Sequence, residues 1–126
     1  MKKIIALALS LIMIFSFCAI SASAENVVKI GVFEPMSGDN GAGGKQEVLG
    51  MQYANAVIPT VDIDGETYKV ELVYADNASA NDKAPTAAQT LISEGVSIVL
   101  GSYGSGVSIA AGDTFLNAEV PALGVT

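Results

Sequence analysis

The chain has 126 residues, is 51% hydrophobic, carries a formal net charge of −7 and contains one cysteine and no histidine. Without histidine, a Ser-His relay and a zinc site of the usual kind are excluded within these residues. The acidic balance argues against nucleic acid and against an anionic membrane surface, since both are engaged through clustered Lys and Arg.

The first stretch, "MKKIIALALSLIMIFSFCAISASAEN", has a basic start at Lys2 and Lys3, an apolar run from Ile4 to Ile20, and Ala22-Ser23-Ala24 as an A-x-A cleavage site. That order predicts a secretory signal peptide over residues 1–24, with residues 25–126 exported to the periplasm or cell surface. A retained membrane anchor is the alternative, the apolar run being at the short limit for a span. A lipoprotein signal at Cys18 needs a small residue before the cysteine and meets Phe17 instead. Residues 25–126 hold four lysines against thirteen acids, a formal charge of −9. They hold no cysteine, which excludes a disulfide framework and a thiolate metal site.

Val27 to Phe33 is a β-branched run that reads as a buried strand bounded by Glu34-Pro35. The glycine-rich "MSGDNGAGGKQ" reads as a loop. Gln46 to Val57 places Val48, Met51, Ala54 and Val57 at helical spacing, and Pro59 stops the helix. Asp64-Gly65 predicts a tight type I′ hairpin turn, followed by a strand through Val70, Leu72 and Tyr74. Asp76 to Asp82 is a polar turn. Lys83 to Ser93 is a helix with Pro85 in its first turn, ended by Gly95. Val96 to Leu100 is a strand, Ser105 to Asn117 a helix, and Pro121 to Val125 a last strand. The closing "VPALGVT" reads as a strand just finished, so a fragment of a longer polypeptide is expected.

Strands alternating with helices predict an α/β fold, a parallel sheet with helices on both faces. Ligands bind such sheets outside the carboxyl ends of the strands. Three segments are expected there: Pro35 to Lys45, Gly101 to Gly106, and Val125-Thr126.

The turn "GSYGSGVSIAAG" departs from several known glycine-rich site motifs. No lysine follows its glycines, so it is not a P-loop, and the order of Gly101, Gly104 and Gly106 is wrong for a dinucleotide fingerprint. Around Ser108 the nucleophile-elbow pattern misses by one residue, and no histidine is present to activate it. A helix start with free N–H groups and serine hydroxyls remains, suited to a small carboxylate. The plainer reading is that Ser102 or Ser105 caps the helix. Ser37 and Asn40 either bond a ligand or sit in a solvated loop. Asp76 and Asp82 read as a turn acid and a helix cap rather than a cation site. Asn77-Ala78-Ser79 matches a glycosylation sequon. Tyr103 either stacks on a ligand or shields the sheet edge.

Three pieces together resemble one family: "VVKIGVFEPMSGDNGAGGKQEVLGMQYA", "VELVYADNASANDKAPTAAQTLI" and "VSIVLGSYGSGVSIAAGDTFLNAEVPALGVT". They are similar to the amino-terminal part of the leucine/isoleucine/valine-binding family of periplasmic solute-binding proteins, which serve ABC importers. The resemblance runs from Val27 to Thr126. It implies the first lobe of a type I periplasmic-binding-protein fold, incomplete over residues 25–126, with the second lobe absent. It implies no catalysis and no cofactor, and it implies a small-molecule ligand, an amino acid, with membrane permease subunits as partners. In the family the turn after the third main strand holds the ligand's carboxylate. The resemblance therefore assigns Ser105 and the backbone of Gly106 as ligand-binding, with Gly104 and Tyr103 beside them. The family's Gly-x-Thr step falls on Gly124-Val125-Thr126 and assigns a carbonyl to Val125 and a hydroxyl to Thr126. Where the family often brings a bulky side chain over the ligand, this chain has Ala42-Gly43-Gly44, which leaves the solute open. Two other functions stay open at this point: an extracellular sensing domain of a receptor, and an α/β enzyme whose catalytic base lies beyond residue 126.

Overall fold

A computed structural model describes residues 26–125. The expected signal peptide, Cys18 and Thr126 lie outside the described residues. The elements run β1 (Val27–Glu34), α1 (Gly41–Val57), β2 (Thr60–Ile63), β3 (Glu66–Asp76), α2 (Ala84–Ser93), β4 (Ile98–Leu100), α3 (Ser105–Asn117) and β5 (Ala122–Leu123).

The strands form one sheet in the order β2-β3-β1-β4-β5. β1 pairs in parallel with β3 and β4, and β4 with β5. β2 and β3 form the antiparallel hairpin, where Asp64 and Gly65 both adopt positive φ, as a type I′ turn requires. The β1 and β4 strands sit inside the sheet, which explains their largely apolar runs, broken in β1 by Lys29.

Side chains alternate across the sheet, so each strand feeds two faces. On one face Phe33, Ala75 and Val99 meet α2 and α3 through Ala84, Ala87, Ala88, Leu91, Val107, Ala111 and Phe115. The alanines of α2 let its backbone approach the strands closely. Phe33 and Phe115 meet edge to face, ring centroids 5.4 Å apart at 88°, a favoured aromatic geometry. On the opposite face Ile30, Val70, Leu72 and Leu100 line an open apolar groove of about 540 Å³ along α1. Helices thus flank both faces of an α/β sheet, as the sequence leads one to expect.

The ends of β1, α2, β4 and β5 fall within two residues of the expected ones, and the start of α1 differs by more. The residues Gly41 to Gly44 read as loop in the sequence but form the first turn of α1. The reason is packing. A Cβ on Gly44 would lie 2.2 Å from the Pro35 carbonyl oxygen. Glycine there serves the close approach of α1 to the end of β1 rather than loop freedom.

Candidate functional site at the carboxyl edge of the sheet

Three connections meet where β1, β3 and β4 end: residues 35–40, 77–83 and 101–104. Asp76, the last residue of β3, binds the first two together. Its Oδ1 accepts from the N–H groups of Met36 (2.8 Å), Ser37 (3.3 Å) and Ala78 (2.8 Å), and its Oδ2 from Ser37 Oγ (2.6 Å). Burial raises the Asp76 carboxyl, but the Ser37 hydroxyl and these backbone N–H groups outweigh it and hold the group below its ordinary value. Ser79 Oγ accepts from the Asn40 N–H at 2.9 Å and donates to the Ser37 carbonyl at 3.2 Å.

The third connection is tied from beneath. Asn77 is fully buried, and its amide nitrogen donates to Ser102 Oγ at 2.8 Å and to the Phe33 carbonyl at 3.4 Å. The Ser102 N–H donates to Ser108 Oγ at 3.2 Å. The Tyr103 N–H donates to Glu34 Oε2 at 2.8 Å. Gly101 has φ +122, and a Cβ there would lie 2.1 Å from the Phe33 carbonyl oxygen, so no other residue fits. Glu34 is itself 0% exposed. Burial above all pushes its carboxyl up to about 7; the Tyr103 N–H opposes this and the neighbouring Glu47 carboxyl adds to it.

What this frame presents is the start of α3. Gly104 is the N-cap residue, and no side chain caps the helix. The first N–H groups of a helix have no intrahelical acceptor. Ser105 and Gly106 are exposed there. The Asn81 side chain lies beside Gly106, and the Tyr103 ring lies against Gly43 of α1. Positive helix-end potential, free N–H groups and an adjacent hydroxyl form a donor site for an anionic oxygen.

The structure brings Tyr103, Gly104, Ser105 and Gly106 together at this edge. Val125 is among the residues lining the apolar groove on the α1 side, and Thr126 lies outside the described residues. Several expectations need correction. Neither Ser102 nor Ser105 caps α3: Ser102 is buried and engaged with Asn77 and Ser108. Asp82 does not cap α2, whose N-cap is Lys83 without a side-chain bond. Asn77 is buried with its amide nitrogen bonded inside the fold, so it is not a surface glycosylation acceptor. Ser37 and Asn40 are exposed, as a solvated loop predicts, but the loop is tied down by hydrogen bonds to Asp76 and Ser79. Asp76 is the turn acid the sequence predicts. Among the described residues no group of three or more His, Cys, Asp or Glu is placed to hold a metal.

Sequence reading did not bring the connection over residues 77–83 to this edge, and it missed the struts Asn77 and Glu34. Glu34 carried a signal: it is a lone acid closing an apolar central strand, where burial demands a partner.

The chain belongs to the periplasmic binding protein family, whose profile matches residues 27–126. It is 32% identical over 89 residues to Leu/Ile/Val-binding protein homolog 2 of Brucella abortus, covering 70% of this chain and 24% of that protein. The fold is similar to that of the leucine-binding protein LivK of Thermotoga maritima, with TM-score 0.69 and 33% identity over 78% of this chain and 27% of that one. It is also similar to a solute-binding protein of an ABC transporter from Rhodopseudomonas palustris in complex with 3,4-dihydroxybenzoic acid, with TM-score 0.67 and 27% identity over 79% of this chain and 27% of that one. The chain thus spans about a quarter of the length of the curated relatives it matches.

Proposed function

We propose that the chain is the first ligand-binding lobe of an extracytoplasmic solute-binding protein of an ABC importer, taking a branched-chain or related amino acid, or an amide. Ser105 Oγ and the Gly106 N–H bind the ligand's carboxylate at the start of α3. Gly104 allows the close approach, and Tyr103 forms the wall toward α1. Val125, through its carbonyl, and Thr126, through its hydroxyl, reach the same ligand from the end of β5. A second lobe closes the cleft, and the loaded protein delivers its cargo to membrane permease subunits. Residues 1–24 are the export signal.

The observation that carries this reading is the uncapped start of α3 beside an exposed serine, while Ser102, Ser108 and Asn77 are engaged inside the fold. Two of the similar proteins support the chemistry: one is named as binding leucine and the other holds a dihydroxybenzoic acid, and both compounds carry a carboxylate. The solute-binding relatives favour binding over catalysis. Calorimetry on the full-length polypeptide and its Ser105→Ala variant tests the assignment. The variant weakens binding by about 1–3 kcal/mol, the effect of leaving a buried polar group without its partner. Unchanged affinity would remove Ser105 from the site.

A further inference from the structure

Two acids, one from β1 and one from α1, meet at the end of β1, neither of them in an ion pair among the described residues. Glu34 is 0% exposed and uses only Oε2, on the Tyr103 N–H. Its Oε1 is buried with no partner, and so is Glu47 Oε2 on α1. The two side chains stand within hydrogen-bonding reach of each other. Beside Glu34 on the sheet is Asp76, its register neighbour on β3, and on the turn Tyr103 meets it through the backbone N–H, while the Tyr103 ring lies against Gly43 of α1. Asp76 is already bonded to the 35–40 and 77–83 loops. No ion pair involves Glu34 among the described residues.

Two ionised carboxylates offer only acceptors, so both orphan oxygens stay unmet and the charges repel. One proton between them changes both facts at once. It makes one carboxyl a donor to the other and removes one negative charge. The pair then spans from α1, through the end of β1, to the N–H of Tyr103, two residues before Ser105.

We propose that Glu34 and Glu47 share a single proton, and that this carboxyl–carboxylate clasp positions the Gly101–Ser105 turn, so that loss of the proton loosens the ligand-facing start of α3. Glu34 is a positioning residue: it acts on the turn through Tyr103 and does not touch the ligand. The link to ligand binding rests on the function proposed above; the clasp itself does not.

The sign follows from a carboxyl whose folded value is raised, from 4.5 to about 7. Its contribution to stability is full below 4.5 and is lost as pH rises through about 7. The test uses the full-length polypeptide without ligand. Urea unfolding is followed from pH 5 to 9 for the wild type, Glu34→Gln and Glu47→Gln, and the Glu34 side-chain carboxyl is titrated by ¹³C NMR in the wild type. The wild-type folding constant falls by up to about tenfold per pH unit across the window, and Glu34→Gln flattens that fall because its amide donates at every pH. A wild-type profile without the fall, or a Glu34→Gln profile that keeps it, overturns the clasp. Should Glu34→Gln not fold, the NMR titration decides: a Glu34 midpoint near neutrality supports the clasp, and one below pH 5 overturns it. Ligand affinity is then read at pH 6 and pH 8. Affinity lost at pH 8 in the wild type but kept in Glu34→Gln supports the coupling to the site, and equal affinity at both values in the wild type overturns it. A protein that titrates as described but binds no amino acid contradicts the proposed function and leaves the clasp standing.

Discussion

Asp76 shows how one carboxylate organises a ligand edge. Four donors from two loops converge on its two oxygens. Asp76→Ala is expected to lower stability by about 1–2 kcal/mol, modest because the group is exposed to water. Its carboxyl is depressed below 3.8, so its contribution is full above that value and lost as pH falls through the depressed one. Acid titration of the unfolding midpoint, wild type against variant, checks this: the two profiles converge at low pH. Gly101→Ala meets both a positive φ and the Phe33 carbonyl, and is expected to lower stability by at least about 2 kcal/mol in urea unfolding. At this scale the sequence was only half legible. The free helix start with Ser105 could be read from a glycine-serine turn after a strand. The burial of Asn77, Ser102 and Glu34 could not, because polar residues in polar turns carry no sign of which ones face inward.

The elements were more legible, since their apolar periods are set by the faces they bury. The strand runs and the 3.6-residue spacing of α2 and α3 follow from one core. Leu91 is 0% exposed at its centre, and Leu91→Ala is expected to cost about 2–5 kcal/mol, read from the urea midpoint. The exception is the start of α1. Glycines at 41, 43 and 44 look like loop because propensity ranks them poorly in helices. Their positions instead allow Pro35 and Tyr103 to lie against the helix backbone. Gly44→Ala, a gain in helix propensity, is therefore expected to destabilise the protein. A rise in the urea midpoint would contradict the packing account.

At the scale of the molecule, the two faces of the sheet are unequal. One is covered by α2 and α3, while along α1 the other keeps an open apolar groove, with Ile58 68% and Val125 41% exposed among its lining residues. The candidate site likewise has one wall, built from loops of a chain that spans about a quarter of its relatives' length. Affinity needs a ligand enclosed on most sides. Residues 25–126 alone are therefore expected to show no tight binding, and micromolar binding by them in a calorimeter would contradict a cleft shared between two lobes. The central claim is that Ser105 and the Gly106 N–H form half of a carboxylate site for a small amino acid. The most direct measurement is calorimetry of the full-length polypeptide against a panel of amino acids and their amides. Saturable binding of a branched-chain or related member, weakened in Ser105→Ala, is the predicted result. No binding heat with any amino acid or amide would contradict it.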